Sequence, residues 1–406
     1  MTQKSISFDP RWDQSTVPRI GLAPLTRQAF EGKDLYPLWT ELMGRVTDDA
    51  AGAGLGMDLS VIAQLRGDKE TGLAIQREAL GLHQIFRGEE TKGGIRLLAL
   101  AVASDIGANM PIEFLLQGSK INLATLYLGP GIPLPAQMPA HDIAVIVASS
   151  SADCAPGFQM IEDLTQDWPV PVLNRPSAIR DLERDQLYKI LECVRGLTIP
   201  PTYRLLREAL NDPSAQGVDF PMIIRPLGSH AGFGLTRLEN RKALEAYLSE
   251  RKESDFFVSS YIDYSSVDGL YRKYRIAMID GQPYPVHMAV AEEWKVWYLN
   301  ADMALSASNR GEEADFMRFF AERFGARHEN ALSEMAQRIG LDYVLIDCAE
   351  TKTGELLIFE ADHSAIVHDM DPVNVYPYKP FHMQRLFEAF CALLTRRATE
   401  SRSCAA

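Results

Sequence analysis

Apolar residues recur at helical spacing through the first third of the chain. In YPLWTELMGRV, Leu38, Leu42 and Val46 fall on one side, with Trp39 and Met43 beside them. A second run starts at Met57, includes Leu59, Ile62, Ala63 and Leu65, and ends near Arg66-Gly67-Asp68. A third, TGLAIQREALGLHQIF, lines up Leu73, Ile75, Ala79, Leu82 and Phe86. These spacings predict helices, each with one buried stripe. From residue 121 the period changes. NLATLYLG and HDIAVIVAS are short apolar runs bounded by Gly, Pro and Asp, the pattern of buried strands. A helix within GFQMIEDLTQDW and a strand in VPVLN follow, which together make a small α/β unit with a mostly parallel sheet. The helix in DLERDQLYKILECVRG buries Leu182, Leu187, Ile190, Leu191 and Val194, and stops at Gly196 and Pro200-Pro201.

Beyond Pro221 the chain reads as strands again. MIIRP predicts a short strand that opens into a loop holding Gly228, Gly232 and Gly234. DFFVSSYIDY is rich in aromatic and β-branched residues, and KYRIAMIDGQPYPVHMAV predicts a hairpin turning at Asp280-Gly281. YVLIDCAETKTGELLIFEAD predicts another strand pair, joined by the polar stretch 351–354. KPFHMQRLFEAFCALLTRR reads as a C-terminal amphipathic helix with a frayed polar tail from Ala398. The early helices, with their glycine turn, weakly resemble one tetratricopeptide unit; stable arrays need about three copies, so a helical appendage and a peptide-docking module both stay open.

Composition narrows the choices. A net charge of −13 argues against a general nucleic-acid binder. No long uncharged apolar run suggests a membrane span, and the first residues lack a signal-peptide core, so a cytoplasmic protein is expected. The five cysteines are scattered and never form a C-x-x-C pair, which fits reduced thiols better than a zinc ribbon or a disulfide frame.

Two segments carry chemistry. Consecutive N–H groups in a glycine-rich loop form an anion nest, and Arg225 at the end of the preceding strand adds a fixed positive charge. The loop matches neither a P-loop nor a dinucleotide fingerprint, so a simple turn remains an alternative. Downstream, Glu360 and Asp362 share one face of a strand, and Asp347 sits on the partner strand where it can face them. Three carboxylates beside a phosphate nest suit Mg²⁺, which prefers carboxylate, water and phosphate oxygens.

The order of these motifs from Leu173 to Ala365 resembles the ATP-grasp superfamily, closest to its glutathione-synthase and ribosomal-protein glutamate-ligase branch. PVLNRPSAIRDLERDQLYKIL with IPPT, PMIIRPLGSHAGFGL, FFVSSYI, YRIAMIDGQPYPVHMA, VLIDCAE and LIFEAD carry the likeness. It implies an α/β (α+β) fold with a helical region over 1–118, a small α/β domain over 119–200, and an ATP-grasp domain over 201–397. The hinge falls near 259–263 and a flexible tail occupies 398–406. It further implies an ATP- and Mg²⁺-dependent carboxylate–amine ligase working through an acyl phosphate, with a carboxylate and an amine as partners and a homodimer as an open alternative. By position, Asp347, Glu360 and Asp362 take the metal. Arg225, Gly228, Ser229, His230, Gly232 and Gly234 take the phosphates, Ser260, Tyr261 and Ile262 the adenine, and Asp268 the ribose. Arg275, Lys295 and His230 are the implied catalytic groups.

The chain also departs from that pattern. Arg225 stands for a lysine, Asp362 for an asparagine, and Asp185-Gln186 for an Asp-Lys pair, so one usual cation is absent. AEEWKVWYLNADM replaces an arginine segment, and offers Lys295 or Trp294 to a different acceptor. Two other classes remain open: a phosphotransferase on the same fold, and a non-catalytic nucleotide-binding adaptor whose helices dock a peptide.

Overall fold

The computed structural model describes residues 7–9, 12–214, 217–229, 232–297 and 301–405. The chain forms two compact units, one of residues 1–179, 363–372 and 383–406, the other of residues 180–362 and 373–382.

Eight strands belong to the first unit: β1 (Ser7–Asp9), β2 (Val17–Pro18), β3 (Ile85–Arg87), β4 (Arg96–Val102), β5 (Asn122–Leu128), β6 (Gln137–Pro139), β7 (Ile143–Ile146) and β8 (Val172–Leu173). Six of them make a sheet in the order β2-β3-β5-β4-β7-β8, in which only the β3–β5 pairing is antiparallel. Central β4 is buried along nearly its whole length, as a strand covered on both faces must be. This overturns the expected helical region over 1–118, because β3 and β4 arise inside it and β4 pairs in register with β5 across residue 119. The domain boundary lies near 179 instead.

The expected helix pair is present. Helices Ala50–Leu65 and Lys69–Leu82 are capped by Asp49 and Asp68, whose carboxylates accept from Gly52 N and Thr71 N at 2.9 and 3.1 Å. The pair packs closely where a Cβ on Gly56 would meet Ala79 Cβ at 3.0 Å. Its apolar face, with Met57, Ala79 and Leu80, closes on Val17 and Phe86 of the sheet. The pair is therefore one layer of an α/β unit. The C-terminal helix runs from Lys379 to Ala405 and buries Leu386, Phe390, Leu393 and Ala398, so the tail expected from 398 is helical.

The second unit has nine strands: β9 (Leu197–Thr198), β10 (Thr202–Leu206), β11 (Met222–Pro226), β12 (Thr236–Leu238), β13 (Asp255–Ser260), β14 (Tyr271–Ile279), β15 (Gln282–Ala291), β16 (Tyr343–Glu350) and β17 (Leu356–Asp362). A four-stranded antiparallel sheet, β10-β13-β11-β12, packs Met222, Ile224, Phe256 and Val258 against Leu244 and Tyr247 of helix Arg241–Ser249. A five-stranded sheet runs β15-β14-β16-β17-β9, antiparallel except for β9. Both predicted hairpins are there, and Asp280 and Gly281 take the positive φ of 50° and 74° that a tight hairpin turn requires. On one face of this sheet, Tyr274 packs on Phe316 and Phe324 at 4.9 and 4.8 Å between ring centroids. At the β15 edge, buried Glu313 accepts from Met288 N at 3.1 Å and so satisfies an edge donor.

Candidate functional site

The glycine loop is the connection between antiparallel β11 and β12. Gly228, Gly232 and Gly234 all have positive φ. At Gly234 a Cβ would also lie 2.6 Å from Pro226 Cδ, so both backbone and space demand glycine. Arg225, 8% exposed at the end of β11, donates from Nε to Ser229 Oγ at 3.0 Å and from Nη2 to the Ser229 carbonyl. Lys295 reaches the same loop, donating to the Leu235 carbonyl at 3.1 Å. Arg225, Ser229 and Lys295 are thus brought together at this loop, and His230 lies outside the described residues.

The carboxylates lie in the five-stranded sheet. Register alone produces a row across four strands: His287 of β15 faces Arg275 of β14, Arg275 faces Asp347 of β16, and Asp347 faces Glu360 of β17. Irregularities in the ladder interrupt it beside Arg275 and beside Asp347; such bulges re-aim side chains at sites. Arg275 grips Asp347 with two bonds, Nε to Oδ1 at 2.6 Å and Nη2 to Oδ2 at 3.0 Å. Lys273, two residues earlier on the same face, adds an ion pair to Asp347 at 2.7 Å. Burial alone would raise the Asp347 carboxyl, but Arg275 and Lys273 outweigh it and hold the group well below the usual carboxylate range. Glu360 is paired with Arg184, at the start of helix Arg184–Leu191. Asp362 faces Leu345, one step further along the same side.

Arg184 also reaches Arg225 electrostatically. Burial first, and the Arg184 charge second, push Arg225 down to about 10. The glycine loop and the carboxylate row are therefore linked through Arg225, Arg184 and Glu360 within one unit. Sequence reasoning missed Arg184 and Lys273. Arg184 sits next to the Asp185-Gln186 pair where a cation is wanting, but its partner lies 176 residues away. Lys273 is placed by strand alternation with Arg275, a signal present in KYR and not used.

Ser260, Tyr261 and Ile262 lie at the end of β13. Ser260 pairs with Met222, and Tyr261 N donates to Pro221 O at 3.0 Å. The Tyr261 ring carries the Arg237 guanidinium at 3.9 Å and meets Trp294 edge-on at 5.9 Å. Ile262 packs with the cluster around Tyr264. Asp268 is not brought to the row. It pairs with Arg272 at 2.7 Å, which also takes Glu312. Arg272 and Tyr274 alternate with Lys273 and Arg275, so they face the opposite side of the sheet. There Asp268, Arg272, Tyr274 and Glu350 line a pocket of about 530 Å³. His363, next after Asp362, belongs to the first unit, where its Nε2 meets the Ala148 carbonyl at 2.9 Å.

Among the described residues no group of three His, Cys, Asp or Glu side chains is arranged to hold a metal unaided. The donor set nevertheless fits Mg²⁺ of the phosphate-bridging kind, which uses one or two carboxylates and takes its other oxygens from water and nucleotide. Asp347 and Glu360 are adjacent carboxylates, each already facing a positive group.

No family model and no curated protein matches the chain. Solved structures similar to it include an ATP-grasp protein and several ligases. A RimK-domain ATP-grasp protein from Sphaerobacter thermophilus is 16% identical, covering 74% of this chain and 99% of its own, with a TM-score of 0.45. D-alanine–D-alanine ligase from Bacillus anthracis is 13% identical over 76% of this chain and 99% of its own, with a TM-score of 0.46. D-cycloserine synthetase is 13% identical over 73% and 99%, with a TM-score of 0.44.

Proposed function

We propose that the second unit binds Mg²⁺–ATP and that the protein is a cytoplasmic carboxylate–amine ligase. One observation carries the nucleotide reading: the glycine loop, four cationic side chains (Arg184, Arg225, Lys273, Arg275) and the Asp347–Glu360 pair converge in a single unit. The four cations exceed the three carboxylates, Asp347, Glu360 and Asp362, which suits a polyanionic ligand. Asp347 and Glu360, with Asp362 beside them, would hold Mg²⁺, which would offset the charge of the phosphates. The glycine loop and Arg225 orient the phosphates, Tyr261 and its neighbours line the adenine side, and Arg275 and Lys295 approach the group in transfer.

The motif order quoted above supports a ligase over a phosphotransferase. A substrate carboxylate oxygen attacks the γ-phosphorus and the bond to ADP breaks. The amine nitrogen then attacks the acyl carbon, loses a proton, and phosphate leaves. A screen of amino acids and peptides for ATP turnover tests this. The expected result is ADP and phosphate released only when carboxylate and amine are both present, with a product mass equal to their sum less one water. A stable phosphorylated product would instead establish the phosphotransferase.

A further inference from the structure

We infer that Arg184 is an exchange cation: it neutralises Glu360 while no divalent ion is there, and passes to a phosphate group when the metal–nucleotide enters. The inference rests on the nucleotide reading above and adds a residue and an order of events to it.

The two carboxylates of the row are neutralised in different ways. Asp347 is 3% exposed and held by two cations, one of them bidentate on a neighbouring strand. That arrangement is built into the sheet. Glu360 pairs with Arg184, which comes from a helix rather than from the sheet, and both side chains are partly exposed, at 32% and 25%, where Asp347 is buried. A partly exposed ion pair reached from a separate helix exchanges more readily than the buried, sheet-held pairs of Asp347. Arg184 has a like charge beside it as well, since its field reaches Arg225, which is fixed to the loop through Ser229.

Arg184 is thus paired with one carboxylate and repelled by one guanidinium. If a divalent ion takes Glu360, Arg184 loses its counter-charge and keeps its repulsion from Arg225. An anion within reach of both arginines would restore the balance, and phosphate oxygens bound at the glycine loop would supply it. Gln186, in the same helical turn, brings no charge of its own.

The prediction is a pair of opposite changes. In Arg184→Gln, Mn²⁺ alone, titrated by electron paramagnetic resonance, binds roughly two- to fivefold tighter because its competitor is gone. A fluorescent ATP analogue with Mg²⁺ binds about tenfold weaker or more in the same variant, because a charge-assisted contact to phosphate is lost. Arg184→Lys, which keeps a cation, retains most of the nucleotide affinity, and thermal melting of each variant checks the fold. Weakening of both ligands, or no change in either, in folded Arg184→Gln would overturn the exchange. So would a folded Arg184→Lys that loses as much nucleotide affinity as the glutamine variant. If the unaltered protein binds neither probe, the nucleotide reading itself falls and takes this inference with it.

Discussion

Asp347 and Glu360 face each other across two strands, yet removing them has different consequences. Asp347 compensates two cations in a buried place, so Asp347→Ala strands Lys273 and Arg275. The expected cost is about 3–5 kcal/mol of stability, seen as a lower midpoint in urea unfolding. Glu360 lies in a partly exposed pair, so Glu360→Gln should cost no more than about 1 kcal/mol while Mg²⁺-dependent ATP turnover falls about a hundredfold. A glutamine variant that melts normally and turns over ATP at the full rate would remove Glu360 from the site. Asp347 also has a pH signature. Its folded carboxyl is depressed, so the unfolded chain takes up its proton first as pH falls. The stabilisation is present above about pH 4 and is given up below it, and thermal melts across the acid range should show less of this loss in Asp347→Asn. The carboxylates were legible because their spacing and chain order carry the pattern. Their cationic partners were not, because Arg184 meets Glu360 and Lys273 meets Asp347 only through the fold.

The hairpins were the elements most readable in the chain, since Asp280-Gly281 and the polar stretch 351–354 set the turns and alternation set the faces. β4 was missed. After Arg96 the strand, LLALAV, is apolar throughout because both faces are covered, and an unbroken apolar run does not separate a buried strand from a buried helix. With it went the sheet that joins the early helices to the strands after residue 121. The glycine loop offers the sharpest test at this scale. Gly234→Ala forces a Cβ onto Pro226 at a φ of 65°, so the loop must shift from the Arg225–Ser229 bonds. Nucleotide affinity should fall while global stability drops only by about 1 kcal/mol. Calorimetric titration with Mg²⁺–ATP and a thermal melt on the same sample separate the two effects.

At the scale of the whole molecule, the chain passes between units more than once. Residues 363–372 belong to the first unit and 373–382 to the second, an arrangement no linear reading of composition or linkers reveals. The short return matters because Lys379 and Tyr378 bond buried Glu313 at 3.3 and 2.6 Å. A fragment of residues 180–362 leaves that carboxylate without them, and should fold less cooperatively in urea than the intact chain. Lys379→Met in the full chain should show part of the same loss, about 3 kcal/mol. Among the described residues no helix is long and apolar enough to cross a membrane.

The acyl phosphate is the step on which the ligase assignment turns, and an isotope tests it. With a carboxylate substrate labelled with oxygen-18, the oxygen that attacks the γ-phosphorus stays with phosphorus when the amine displaces it. The predicted result, by mass spectrometry, is inorganic phosphate carrying one labelled oxygen for each amide formed. Amide formation with unlabelled phosphate, or turnover that ends in a stable phosphorylated small molecule, would contradict the assignment.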